Sequence, residues 1–304
     1  MNGVLVSGLI RSGTTWIGHM LATADNTIYI HEPFNPDSKW NACFPLPSHM
    51  MHITPEYGGI YQGPFARILK LAPLFRGNWR KEVAESVYQY IENETQGKSG
   101  PIIPIIKDPV ALFSAEWLAI RHHLRPVIVL RHPISIVRSQ IRLGWTKGNK
   151  LVGIIQQKSL VETFYKETDK ALLQEYMRTW FDLPLADQMC VFVRYMYLAI
   201  DRFAREFPDW HYVCYEDVSN SPEKYFVEMM QYAGLEISQL TYQKLRGEKG
   251  EYDPTKAHQN VLGAIPTDQE KIFESDEYSD DWKGLYEKYF PDIAETISKY
   301  VSWA

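Results

Sequence analysis

Val4-Leu5-Val6-Ser7-Gly8-Leu9-Ile10-Arg11-Ser12-Gly13-Thr14-Thr15-Trp16 decides how the rest of the chain reads. A short apolar run, Val4–Ser7, passes into two glycines at G-x4-G spacing and then into a helical pattern over Thr14–Thr23. Strand, glycine turn and helix in that order let backbone N–H groups turn inward around an anion, at the positive end of a helix dipole. The Thr14 and Thr15 hydroxyls can add donors. An ordinary βα turn with a threonine cap uses the same residue types, but the paired glycines at this junction favour the anion site. A Walker loop would continue Gly-Lys-Ser/Thr, its lysine reaching the outer phosphates of a triphosphate. Here Thr14 follows Gly13 and the nearby cation is Arg11, inside the loop, which suits a shorter anion than a magnesium-bound triphosphate.

Downstream, short apolar runs alternate with helical patterns. Thr27–His31, Ile102–Lys107, Pro126–Leu130 and His211–Tyr215 read as strands. Val110–His122, Ile134–Leu143 and Pro222–Tyr232 read as helices. Brief strands separated by helices predict an α/β fold: a three-layer arrangement with a parallel central sheet and helices on both faces, carrying a P-loop-like turn after its first strand. Two inserts interrupt the alternation. Residues 35–63 are rich in Pro, His, Met and aromatics with little periodicity, as in a long loop forming a lid or substrate wall. Residues 154–207 are mostly helical, with Val191–Phe203 apolar on one face. No repeat or linker marks a boundary, so residues 1–304 read as one domain.

The chain has 304 residues, 45% hydrophobic and 23% charged, enough to bury a sizeable core and far from the composition of a disordered chain. Its net charge of −5 argues against a nucleic-acid partner, which needs a surplus of cations. Cys43, Cys190 and Cys214 are too few and too scattered for a disulfide framework or a zinc motif. No stretch approaches the ~18 apolar residues of a membrane span. No secretory leader is legible either; with Met1 as the native start, a cytoplasmic location is expected and the sequon at Asn93-Glu94-Thr95 is incidental. Between Trp117 and Val161 there is no Asp or Glu, while Arg121, Arg125, Arg131, Arg138, Arg142, Lys147, Lys150 and Lys158 are all present. Such a stretch either focuses positive potential on an anionic ligand or is a solvated basic face balanced by the acidic segment Asp276–Asp281.

Three segments, in order, resemble one enzyme family. Arg11-Ser12-Gly13-Thr14-Thr15-Trp16 is similar to the 5′-phosphosulfate loop of the sulfotransferases. Leu130-Arg131-His132-Pro133, continuing to Ser139, resembles their second motif, in which an Arg and a Ser eight residues later hold the donor's 3′-phosphate. Tyr215-Glu216-Asp217 resembles a third recurrent segment. The resemblance implies a sulfuryl donor, 3′-phosphoadenosine 5′-phosphosulfate, with 3′-phosphoadenosine 5′-phosphate as product and no required metal. It implies transfer to a hydroxyl or amine of a small-molecule or carbohydrate acceptor by in-line displacement. Arg11 would be the fixed cation at the phosphosulfate linkage. Trp16 and Tyr215 would lie near the adenine, or serve as core aromatics. Arg246, Gly247, Lys249 and Gly250 resemble a late basic loop that also touches the 3′-phosphate.

The acceptor's proton requires a base within hydrogen-bond reach. Many family members use a histidine in a Lys-Thr-His-x-Pro segment; this chain has Lys107-Asp108-Pro109 there instead. The remaining candidates are Glu32, then Asp108, then His31, with Lys107 neutralising the sulfuryl group, pairing with the acceptor, or forming a salt bridge. Trp40, Phe44, His49, His52 and Tyr57 of the first insert would wall the acceptor, or pack against their own protein. Two rivals stand beside this reading: a P-loop kinase or NTPase, in which Asp108 would bind magnesium, and a non-catalytic nucleotide-binding relative. A serine hydrolase lacks its G-x-S-x-G elbow, and histidines such as His122-His123 lack metal-ligand spacing.

Overall fold

The strand β1 (Gly3–Gly8) is buried at every residue. Successive side chains of a strand point to opposite faces, so uninterrupted burial means that both faces of β1 are covered. The computed structural model describes residues 3–42, 44–70, 102–144, 150–245, 272–276, 279, 281–291 and 297–302. Among them run β1, α1 (Thr14–Leu21), β2 (Thr27–His31), α2 (Gly59–Leu69), β3 (Ile103–Lys107), α3 (Ala115–His122), β4 (Leu124–Leu130) and α4 (Pro133–Arg142). Then follow α5 (Lys150–Ile155), α6 (Lys158–Phe164), α7 (Glu167–Arg178), α8 (Leu185–Glu206), β5 (His211–Cys214), α9 (Tyr215–Asn220), α10 (Pro222–Ala233), α11 (Gln239–Leu245) and α12 (Trp282–Tyr289). The strands form a five-stranded parallel sheet in the order β2-β3-β1-β4-β5, flanked by helices, as the alternation of patterns predicts.

Two compact units divide the chain: Met1–Gly8, Gly13–Ile128 and Ser221–Glu251 in the first, and Leu9–Ser12, Val129–Asn220 and Tyr252–Ala304 in the second. In the first unit, β1 and β2 both pair with β3 in parallel, Val6 opposite Lys107 and His31 opposite the same residue. Helix α1 crosses β3 closely: a Cβ on Gly18 would sit 3.0 Å from that of Lys107. The stretch expected to be helical from Val110 begins instead as a 3-10 turn, Pro109–Ser114. Asp108 caps it, accepting from the amides of Val110 and Ala111, with Pro109 at the first position where no N–H is required.

The second unit is organised by α8. The expectation of one apolar face over Val191–Phe203 is too modest, because every residue from Met189 to Tyr197 is buried. A helix enclosed on several sides needs partners for its polar groups. Asp187 accepts from Lys288 Nζ at 2.8 Å and Tyr289 Oη at 2.6 Å, and Arg194 donates to the Tyr289 carbonyl at 2.8 Å. Cys190 and Cys214 are free thiols, both buried; Cys43 lies outside the described residues.

Candidate functional site

The glycine turn after β1 has unusual backbone geometry. Gly8 and Gly13 take φ of 144° and 98°, conformations open to glycine, and Arg11 takes φ of 79°. A bulky residue there is strained, and such strain persists where surrounding contacts over-determine it. Those contacts are visible in the second unit. Gln140 Nε2 donates to the Ile10 carbonyl at 3.1 Å, and Arg131 donates to the Arg11 carbonyl at 3.0 Å. The Ser12 amide closes the turn onto the Leu9 carbonyl at 3.0 Å. Helix α1 follows with no acidic residue in its first turn, leaving the positive end of its dipole uncompensated by a carboxylate of its own. Ser12 and Thr14 are buried, whereas Thr15 is exposed.

Four residues singled out in the sequence converge in this unit. Arg11 Nε donates to Ser139 Oγ at 3.0 Å across 128 positions of chain. The Arg131 guanidinium lies 4.6 Å from the centre of the Tyr215 ring, and its Nε is 4.0 Å from Glu216 Oε1. Burial first, and then the like charge of Arg131, hold the Arg11 guanidinium below its ordinary pKa. An anion placed beside both guanidiniums would relieve that repulsion and accept from planar donors suited to phosphate oxygens.

The strand-end acids lie in the first unit and behave differently. Glu32 follows β2 with φ of 45°, and its amide donates to the Lys107 carbonyl at 2.9 Å. Its carboxylate accepts from Lys107 Nζ on one oxygen and from Asn35 Nδ2, at 3.0 Å, on the other. Burial tends to raise the Glu32 pKa, but the charge and hydrogen bond of Lys107, helped by His31 and Asn35, outweigh it and hold the group below the usual carboxylate range. Lys107 forms a salt bridge with Glu32. Asp108 is wholly buried. Its carboxyl accepts from the amides of Phe34 at 2.5 Å, Val110 at 2.9 Å and Ala111 at 3.2 Å, tying the chain after β2 to the end of β3. Burial, then the charge of Glu32, raises it to about 8. His31 is exposed, with Nδ1 3.3 Å from the Tyr29 hydroxyl and Nε2 3.8 Å from Glu32 Oε1.

Other expectations meet mixed fates. Trp16 is buried edge-on against Phe226, with centroids 5.3 Å apart. The aromatic wall is corrected in part. Phe44 is fully buried against Phe34 and Phe65, and Trp40 turns inward to donate to the His31 carbonyl at 3.0 Å. Aromatic side chains carry so much apolar area that a long insert buries them against its own unit first. Tyr57 stays 82% exposed, and His49 pairs with Asp37 at 3.2 Å. The acid-free stretch is not one basic face. Arg121 and Arg125 donate to the carbonyls of Pro55 and Tyr232, and Arg138 is buried against the Ile272 carbonyl and Asp276. Arg246, Gly247, Lys249 and Gly250 lie outside the described residues.

Sequence reading missed Gln140, Glu216 and Tyr197, which hold the turn and the end of β4. Only the position of Glu216 inside Tyr215-Glu216-Asp217 offered a signal. Among the described residues, no group of three or more His, Cys, Asp or Glu side chains is placed to hold a metal ion, and no helix is long and apolar enough to cross a membrane.

No family model matches the sequence, and no curated protein matches it. Solved structures similar to it include two sulfotransferases. The chain is 15% identical to a sulfotransferase domain from the curacin biosynthetic pathway, over 97% of each chain, with a TM-score of 0.48. It is 11% identical to the sulfotransferase STF9 from Mycobacterium avium, over 98% of this chain and 76% of that one, with a TM-score of 0.42.

Proposed function

We propose that this chain transfers a sulfuryl group from 3′-phosphoadenosine 5′-phosphosulfate to a hydroxyl or amine of a small-molecule or carbohydrate acceptor, as a single cytoplasmic domain. The observation that carries the reading is the meeting of Arg11, Arg131, Ser139 and Tyr215, all named from sequence motifs and drawn from three distant segments. Arg131 and Ser139 hold the 3′-phosphate, and Tyr215 and Trp16 serve the adenine. The turn Leu9–Thr15 binds the 5′-phosphosulfate through backbone amides and hydroxyls. This donor set is cationic and rich in N–H groups, which suits a nucleotide with two separate anionic ends and asks for no metal.

In the transfer, the acceptor oxygen forms a bond to sulfur as the bond from sulfur to the bridging oxygen breaks. Arg11 stabilises the charge developing on that bridging oxygen. Glu32 takes the acceptor's proton. Its carboxylate is kept ionised by Lys107 and oriented by Asn35. A carboxylate of lowered pKa is a weak base, so it accepts the proton as the new bond to sulfur acidifies the hydroxyl. Asp108, engaged by three amides, holds the chain on which Glu32 sits.

Calorimetry with 3′-phosphoadenosine 5′-phosphate, beside thermal melts with ATP and magnesium, tests the reading. Binding of the bisphosphate nucleotide and a raised melting temperature support it. A melt raised by ATP and magnesium alone would replace it with the kinase reading. Nucleotide binding without sulfate transfer to any member of a broad acceptor panel would leave a non-catalytic relative.

A further inference from the structure

At the exit of β4, the backbone on both sides of Arg131 is held by side chains. Tyr197, fully buried on α8, accepts from the Arg131 amide at 3.2 Å and donates its hydroxyl proton to the Arg131 carbonyl. One phenol thus closes both polar groups of a single residue, 66 positions away in sequence. The next amide, His132, donates to Glu216 Oε1 at 3.0 Å. The same oxygen lies 4.0 Å from Arg131 Nε, and Glu216 Oε2 accepts from the Cys214 thiol at 3.0 Å. Glu216 is itself 4% exposed.

A buried carboxylate that accepts from the following amide and sits at ion-pair distance, 4.0 Å, from the guanidinium's inner nitrogen orients the outer nitrogens of Arg131 toward other partners. One of them already donates to the Arg11 carbonyl. Strand ends ordinarily satisfy such backbone groups with the next turn of a helix or with water. Here two long-range side chains do it, so their removal leaves buried N–H and C=O groups unpaired beside the cation.

We infer that Tyr197 and Glu216 are positioning residues for Arg131, fixing its guanidinium for the anion it binds. Resting on the sulfotransferase reading, that anion is the 3′-phosphate of the donor nucleotide. Tyr197→Phe and Glu216→Gln keep the volume of each side chain and remove the hydroxyl or the charge. Calorimetry would compare 3′-phosphoadenosine 5′-phosphate with adenosine 5′-phosphate, which lacks the group that Arg131 holds. Tyr197→Phe is expected to weaken the bisphosphate by about tenfold, the scale of one misdirected charged hydrogen bond, and to leave the monophosphate unchanged. In an Arg131→Ala background the same substitution should cost nothing further. Equal weakening of both nucleotides, wild-type affinity in both variants, or full additivity with Arg131→Ala would overturn the inference.

A nucleotide-free measurement separates this inference from the reading beneath it. The Arg131 Nε–H resonance, assigned by its loss in Arg131→Ala, should shift and exchange faster in Glu216→Gln and Tyr197→Phe. If the wild type binds no nucleotide but that signal moves, the donor assignment fails and the positioning stands. If the signal is unmoved in both variants, the positioning fails whatever the nucleotide does.

Discussion

Two charged clusters hold buried cations, and they are built in opposite ways. Around Arg131, two guanidiniums share space with the Glu216 carboxylate, and Arg11 is held below its ordinary pKa by burial and by its like-charged neighbour. Around Lys107, a single ammonium is matched to Glu32 by a direct hydrogen bond, with the buried Asp108 next in sequence. A cluster with two cations beside one carboxylate gains from an added anion. A cluster already neutralised gains little from an anion and is suited to hold or take a proton. On the proposed reading, the first cluster binds the nucleotide and the second transfers the proton.

The division of labour breaks if the wrong parameter moves. Glu32→Gln keeps the shape of the second cluster and removes its base. It is expected to lower kcat by about 10²–10⁴-fold, the range for general acid–base catalysis, with donor affinity preserved in calorimetry. Parallel loss of both would merge the two clusters into one function. Arg131→Ala is the mirror experiment. Removing a charged hydrogen bond of about 1.5–3 kcal/mol should weaken 3′-phosphoadenosine 5′-phosphate by roughly 10–150-fold, and unchanged affinity would remove Arg131 from the site.

Asp108 sharpens the comparison within the second cluster. Asp108→Asn turns an amide NH₂ toward either the Phe34 N–H or the Val110 and Ala111 N–H groups, so a loss of about 1–3 kcal/mol is expected in denaturant melts. Its pH signature follows from its raised pKa. A carboxyl that binds its proton more tightly when folded lends stability below its ordinary value, near 3.8, and loses it as the pH rises through about 8. The wild type should show that decline, and Asp108→Asn should lack it.

The smallest effect is a displacement of a pH profile. Because Lys107 helps to hold Glu32 below the usual carboxylate range, the acid limb of kcat/KM should lie below about 4.5 in the wild type. By the same linkage the Glu32–Lys107 pair stabilises the fold above the ordinary carboxylate pKa and ceases to do so as the pH falls through the lowered one. Lys107→Met leaves burial unopposed by that charge, so the limb should move upward. An unmoved limb would mean that another group takes the proton.

Much of this was legible from residues in a row. Thr27–His31 is a strand at the bounds its alternation predicts, and Ile103–Lys107 begins one residue later than expected. Arg11, Arg131, Ser139 and Tyr215 each stand in a motif readable from neighbouring residues. Tyr197 was not, because a tyrosine in the run from Val191 to Phe203 looks like one more core aromatic. Only its two hydrogen bonds to Arg131 distinguish it. Trp40 and Phe44 misled for a related reason: composition says that an insert is aromatic, and packing says which way the rings turn.

What the amino-acid order determined by itself is the alternation of strands and helices, the glycine turn after the first strand, and the chemistry available at each strand end. These depend on periodicity and backbone sterics over a few neighbouring residues. Which end meets which was decided only in three dimensions. Arg11 finds Ser139 across 128 positions, and Lys107 finds Glu32 across 75. The cause is physical: such contacts depend on strand order and helix packing, and burial decides the charge state of a side chain only after those are set.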